Sequence, residues 1–121
     1  MICCELTPID GLYLVKPKVF PDERGYFLEA MNTETLKNIG IDSAFVQENQ
    51  AFSYRGVLRG LHLQRPPFAQ GKLIRAIQGE ILDVAVDVRI GSPTFGQHYK
   101  SAYIENFFGD GSKYGVSLTI R

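Results

Sequence analysis

The sequence predicts an all-β fold, a barrel or a sandwich, with one short helix near residues 32–40. Twelve glycines and six prolines separate short runs rich in Val, Ile, Phe and Tyr, which is typical of such folds. The clearest strand signal lies at residues 81–90, where every second residue from Leu82 to Ile90 is apolar. Because successive side chains of a strand point to opposite faces, this alternation predicts a long strand.

The other elements are predicted from apolar runs and the turn residues between them. The strands and extended segments expected on this basis are 12–15, 26–29, 44–53, 57–64 and 72–78. The sequence GDGSK near the end of the chain has turn character, so a hairpin is expected from residues 102–108 and 114–121.

Local signals also define one helix and one loop. The helix has Asn32 or Thr33 as its capping residue, and Gly40 terminates it. Segment 17–25 has a proline at its start and a glycine at its end, so we expect a loop there.

Length and charge restrict the class of protein. A chain of 121 residues suits a single domain with one core, here residues 1–121. Thirteen basic and thirteen acidic side chains cancel, which disfavours a non-specific nucleic-acid binder. Polyanion binding would therefore need a local basic pocket.

The sequence also predicts a soluble cytoplasmic protein. No apolar run approaches the length needed to span a membrane, and the first residues lack the pattern of a signal peptide. The two cysteines, Cys3 and Cys4, are adjacent, so a disulfide between them would be strained. A reducing compartment fits them best.

The stretch from Gly56 to Lys72 carries the groups best suited to chemistry. Arg59, His62 and Lys72 lie on neighbouring predicted strands, and such groups can converge on one cavity in a barrel. An imidazole that removes a proton from carbon needs fixed positive charge for the enolate that forms, which the two cations would supply. The alternative, a purely structural histidine, is the commoner case for a strand histidine.

The same stretch bears on metal binding. Gly56 is followed by His62 after five residues, as in the first motif of metal-binding cupins, G-x5-H-x-H. Gln64 occupies the place of the second histidine, and an amide is a poor ligand for transition metals. We therefore expect a cupin-like barrel without a metal, and a metal-dependent cupin oxygenase is disfavoured.

Arg59 and His62 have opposite parity along a regular strand, so their side chains would face opposite ways. If both serve one pocket, the strand must bulge between them, and Gly60 is the expected position.

Five segments in series resemble the dTDP-4-dehydrorhamnose 3,5-epimerase family. The resemblance runs from about Ile9 to Gly96, and several long motifs in order are more specific than one short pattern. The segments are DERGYFLE (22–29), FVQEN (45–49), GVLRGLHLQRPP (56–67), AQGKLIRAIQGEILDVAVDVR (69–89) and GSPTFG (91–96).

The resemblance implies a cupin-like β-barrel or jelly roll and a defined reaction. Members invert C3 and C5 of a dTDP-linked 4-keto-6-deoxyglucose to give dTDP-4-dehydro-L-rhamnose, a step in dTDP-rhamnose biosynthesis. They need no cofactor and no metal, because the substrate already carries the ketone. By the match, His62 is the base, and Lys72 and Arg59 hold the keto oxygen or the phosphates.

The remaining site residues are also implied by the resemblance. Arg24 and Glu29 match positions that bind the nucleotide, often from the partner subunit of a homodimer. Gln47 and Asn49 match a substrate-contacting strand, and Asp83 is similar to an active-site carboxylate. Each has a plainer interpretation as a solvated surface group, and Asp83 shares its strand face with Ala85 and Asp87.

The resemblance decays after Gly96, and residues 97–121 form a divergent tail. The family's last strands, its acid tyrosine and its base-orienting aspartate have no counterpart in this tail, so the fold is expected to be incomplete at the C-terminus. Two alternatives to the 3,5-epimerase therefore stay open. One is a catalytically silent nucleotide-sugar binder, and the other is a related sugar-modifying cupin, a 3-epimerase or a ketoisomerase.

Overall fold

A computed structural model describes residues 2–42, 44–105 and 116–119 of the chain. In these residues the chain forms eight strands and one short helix. The elements are β1 (Ile2–Leu6), β2 (Leu12–Pro17), β3 (Val19–Asp22), β4 (Gly25–Leu28), α1 (Thr33–Asn38), β5 (Lys72–Ile74), β6 (Gly79–Val86), β7 (His98–Glu105) and β8 (Val116–Thr119). The mostly-β composition and the single short helix confirm the fold class predicted from the sequence. No helix in the described residues is long and apolar enough to cross a membrane.

The strands form one sheet of four strands and two sheets of two strands. The larger sheet has the order β1-β2-β8-β5, and the smaller ones pair β3 with β4 and β6 with β7. Every pair is antiparallel. The hairpin expected from residues 102–108 and 114–121 lies largely outside the described residues. Of the parts that are described, β7 pairs with β6, and β8 pairs with β2 and β5.

A small core lies against the large sheet. Ile2 and Val15, on neighbouring strands, pack with Leu36 of α1 and with Ile41 after it. Each of these side chains is almost fully buried, and burying one such side chain stabilises a fold by about 1.5–3 kcal/mol. The cluster fixes the helix against the sheet.

Capping groups explain why α1 begins and ends where the sequence predicts. Asn32 has extended backbone, and its Oδ1 accepts a hydrogen bond from the Thr35 amide at 3.0 Å. At the other end the amide of Gly40 donates to the Lys37 carbonyl at 3.0 Å, and that of Ile41 to the Leu36 carbonyl at 2.8 Å. This is a Schellman motif, and Gly40 adopts the positive φ of 94° that such an ending favours.

Several strand boundaries differ from those predicted. The predicted loop contains strand β3, whose partner β4 follows after a two-residue turn. Residues 57–64 are not a strand, and within the described chain none is assigned from 44 to 71. Apolar alternation marks residues able to join a ladder, but a strand forms only where a partner supplies its hydrogen bonds.

The long strand ends early for a local reason. β6 stops at Val86 instead of continuing to Ile90. Immediately afterwards the Asp87 carboxylate accepts a hydrogen bond from the Arg89 amide at 3.0 Å. The chain turns back here toward β7, with the Asp87 amide still donating to the Gln97 carbonyl at 2.9 Å, so the carboxylate braces the turn that ends the ladder.

Candidate functional site

Arg59 is held by its own loop. Its Nε donates to Ser53 Oγ at 2.8 Å and its Nη2 to the Phe52 carbonyl at 3.0 Å. The loop between them turns at residues 54–57, where the Val57 amide donates to the Tyr54 carbonyl at 3.2 Å. This turn fixes a cation on an exposed segment.

His62 follows Arg59 across a break in the extended backbone. Gly60 has a φ of 120°, a conformation that side-chain-bearing residues rarely adopt. The departure from regular geometry falls at the glycine where a bulge is expected from the sequence. It is not a β-bulge, because no ladder flanks it in the described residues.

The structure does not enclose the predicted catalytic groups. Arg59, His62 and Lys72 are all exposed. Lys72 opens β5 opposite Thr119. Within the described part of the chain, no hydrogen bond or ion pair joins His62 to either cation.

Gln47 and Asn49 act as a pair. Gln47 Nε2 donates to Asn49 Oδ1 at 3.2 Å, and both side chains are exposed. The two amides are therefore in direct contact on an exposed segment.

Arg24 lies in the tight turn of the β3–β4 hairpin. Its guanidinium contacts Asp22 with both Nε and Nη2, the shortest distance being 2.6 Å to Oδ2. The same hydrogen bonds hold the pKa of Asp22 below its usual value. A ligand anion that reaches Arg24 would have to share it with this carboxylate.

Glu29 lies just before α1. Its Oε2 accepts a hydrogen bond from Asn32 Nδ2 at 3.2 Å, and Asn32 caps the helix with its Oδ1. The carboxylate is thus tied to the start of the helix rather than left as an unattached strand-end charge.

Asp83 is half-buried in β6, where it lies opposite Ser101 of β7, and it makes a polar interaction. The neighbouring side chain of Leu82 is 66% exposed.

The sequence contains one signal that pattern reasoning missed. From Asn49 to Gly79 the chain has basic residues and no Asp or Glu. The cations are Arg55, Arg59, Arg65, Lys72 and Arg75, and all are exposed. The overall charge balance hides this local excess, which is the basic region that polyanion binding requires.

A second group of residues was also missed. The Asp87 carboxylate accepts hydrogen bonds from the Arg89 guanidinium, from Ser92 Oγ at 2.5 Å and from Thr94 Oγ1 at 2.6 Å. These contacts hold the pKa of Asp87 far below its ordinary range. The cluster ties the GSPTFG loop to the end of β6. In the described residues, no group of three His, Cys, Asp or Glu is arranged to hold a metal ion.

The antiparallel sheets with one short helix define a cupin-like fold, which solved structures of dTDP-4-dehydrorhamnose 3,5-epimerases share. The family model described as dTDP-4-dehydrorhamnose 3,5-epimerase matches residues 6–106, which is most of the chain. The chain therefore belongs to the dTDP-4-dehydrorhamnose 3,5-epimerase family, as the resemblance of its motifs implied.

Individual relatives agree with this assignment. The epimerase of Methanothermobacter thermautotrophicus is 52% identical over 91 residues, covering 75% of this chain and 49% of the relative. A Bacillus anthracis epimerase structure with TDP and PPi bound superposes with a TM-score of 0.90 at 35% identity, covering 100% of this chain and 66% of that one. A Legionella pneumophila enzyme in complex with dTDP-4-keto-L-rhamnose gives 0.88 at 38% identity, covering 100% and 61%. The chain spans about half the length of the curated relatives it matches.

Proposed function

We propose that the chain binds a dTDP-linked 4-keto-6-deoxy sugar and takes part in its 3,5-epimerisation, an isomerase step of dTDP-rhamnose biosynthesis. The observation that carries the proposal is the family match over residues 6–106. The exposed basic segment around His62 supplies charge of the sign that a nucleoside diphosphate needs.

In the proposed reaction His62 is the base. It removes the proton from C3 or C5, and the electron pair of that C–H bond moves toward the 4-keto oxygen. A solvent water on the opposite face then protonates the carbon as the ketone re-forms, and the imidazolium of His62 returns its proton to the hydroxide that remains. Lys72 and Arg59 would stabilise the oxyanion or hold the phosphates, since positive charge placed in advance lowers the energy of the developing anion. No metal or other cofactor is required.

The remaining polar groups would bind substrate. Gln47 and Asn49 present adjoining amides, and Arg24 and Glu29 lie at the β3–β4 hairpin and the start of α1. Asp83 would contribute a carboxylate from β6. The complex of a relative with dTDP-4-keto-L-rhamnose supports a nucleotide-sugar ligand for this group.

A silent nucleotide-sugar binder is the second candidate. It is favoured by the exposure of His62 and by the lack, in the described residues, of a carboxylate bonded to its ring. A base without an orienting partner is slow, since one general acid or base contributes about 10²–10⁴-fold.

Solvent-deuterium exchange separates the two candidates. Wild type is incubated with the dTDP-4-keto-6-deoxy sugar in D₂O, and incorporation at C3 and C5 is followed by NMR. We expect incorporation by wild type and a loss of at least about 100-fold in His62→Ala. His98→Ala, which removes the other histidine, is the control. Binding of dTDP without exchange above background would establish the silent binder instead.

We also propose a homodimer in the cytoplasm. Many large apolar side chains of the described structure are exposed, including Val46 and Leu58 at 92% and 90%, and a patch of this kind is typical of an interaction surface. A symmetric dimer is the commonest way to cover one. The free thiols of Cys3 and Cys4 suit a reducing compartment.

A further inference from the structure

The contacts of Arg59 differ in kind from those of the other anchored arginines. Arg24 and Arg89 each bond to a carboxylate, which neutralises their charge. Arg59 bonds to a hydroxyl and a backbone carbonyl, and no ion pair involves it in the described structure. Its orientation is fixed while its charge stays available.

The loop that holds Arg59 is itself braced. The Phe52 and Tyr54 rings meet edge to face, with their centroids 5.2 Å apart and their planes at 84°, an arrangement that stabilises aromatic pairs. The hydrogen bond from the Val57 amide closes the turn. The acceptors Ser53 Oγ and Phe52 O are therefore presented from a defined loop.

We propose that Ser53 is a positioning residue, which aims the Arg59 guanidinium at an anionic oxygen of the substrate. The inference rests on the proposed function. A guanidinium has five donors in one plane, so fixing Nε and one Nη2 hydrogen sets the direction of the rest. Those remaining N–H groups point at the ligand without being reoriented on binding, and less conformational freedom is lost.

Ser53→Ala removes the hydroxyl but leaves the carbonyl contact. We expect it to weaken dTDP binding about three- to tenfold, the range associated with one neutral hydrogen bond. Ser53→Thr keeps a hydroxyl and should restore most of the affinity. Gln50→Ala, an exposed change in the same segment, should have no effect.

Two measurements test the inference on the full chain. The first is hydrogen exchange at the Arg59 Nε proton, followed by ¹⁵N NMR without ligand and assigned by its loss in Arg59→Ala. The signal should be protected in wild type and Ser53→Thr, and should exchange faster in Ser53→Ala. The second is calorimetric titration with dTDP, in which Ser53→Ala should have no further effect in an Arg59→Ala background.

The outcomes separate the inference from the proposed function. Normal dTDP binding with unchanged Nε exchange in Ser53→Ala would overturn the inference alone. So would an equal loss of affinity in the Arg59→Ala background, because Ser53 would then act through general structure. Failure of wild type to bind dTDP would overturn the proposed function and the substrate role of Ser53 with it. If Ser53→Ala slows deuterium incorporation into the sugar but leaves the dTDP affinity unchanged, the positioning role of Ser53 is supported. The anionic oxygen that Arg59 contacts would then be that of the enolate.

Discussion

The Asp87 carboxylate is the most heavily engaged side chain of the described structure. It is only 4% exposed, and its oxygens accept from Arg89, Ser92 and Thr94. These bonds favour the ionised form, which lowers the pKa in the folded state. The contribution to stability is complete above the ordinary aspartate pKa of about 3.9, and is lost as the pH falls below that value toward the folded pKa.

Asp87→Asn should therefore lower the free energy of unfolding at pH 7 and flatten its dependence on pH below about 4. The amide keeps some hydrogen bonds but loses the charge that pairs with Arg89. Urea unfolding at pH 7 and at pH 3 measures both effects. Asp42→Asn is the control, because that carboxylate is exposed and lies 4.0 Å from Lys37. Parallel pH profiles for wild type and Asp87→Asn would contradict the role of this carboxylate.

The Asp22–Arg24 pair gives a second residue-level prediction. Asp22→Asn removes the carboxylate that pairs with Arg24 and would compete with a ligand anion for its guanidinium. The affinity for dTDP should therefore rise, by less than about fivefold because exposed ion pairs are weak. The gain should disappear at high salt. Titrations at two salt concentrations measure it, with Glu5→Gln, from the exposed Glu5–Lys16 pair, as the control. Weaker binding by Asp22→Asn would show instead that Asp22 positions Arg24.

At the scale of elements, α1 is set by contacts close in sequence. Asn32→Ala removes the N-cap and the group that bonds Glu29, and should destabilise the protein by about 1 kcal/mol. Urea unfolding followed by circular dichroism measures the change. Asn38→Ala, at the last helical residue, is the matched control and should cost less. Equal effects of the two changes would contradict the assigned cap.

The difference between local and long-range contacts explains which elements could be predicted from the sequence. The helix and the strand at β6 carry their signals locally, in caps and in alternation, and both were predicted. Residues 57–64 have an equally apolar pattern, but no partner completes a ladder there in the described structure. The partners of β8 lie about a hundred and about forty-five residues earlier in the chain, a separation that no local pattern encodes.

The candidate site likewise contains features that the sequence predicts and contacts that it does not. The motif around His62 is visible in residue types alone, and Gly60 has the positive φ that glycine favours. The bulge expected there is not observed, because residues 57–64 join no ladder in the described structure. The hydrogen bond of Arg59 to Ser53 joins residues six apart in an irregular loop, where no periodicity relates one side chain to another. The Asp87 cluster was missed for a similar reason, since its hydroxyl donors lie on a turn with no regular spacing.

Many large apolar side chains are exposed between residues 46 and 68, the segment that also carries Arg59 and His62. The exposed side chains on this segment are Val46, Phe52, Tyr54, Val57, Leu58, Leu61, Leu63 and Phe68. Monomeric proteins rarely leave so many neighbouring apolar groups in water. The basic residues lie on the same segment, so a second copy that covered it would also help to exclude water from the substrate.

Leu58→Glu tests the proposed dimer directly. Leu58 is 90% exposed, so the change should leave the folded chain intact, but a buried unpaired carboxylate would oppose association. We expect light scattering to give a dimer mass for wild type and a monomer mass for Leu58→Glu, with weaker dTDP binding in the variant. Ile90→Glu, at an equally exposed position outside the segment, should remain dimeric. A monomeric wild type, or a dimer that Leu58→Glu does not disturb, would contradict this surface as the interface, whereas joint loss of dimer and affinity would link assembly to the site.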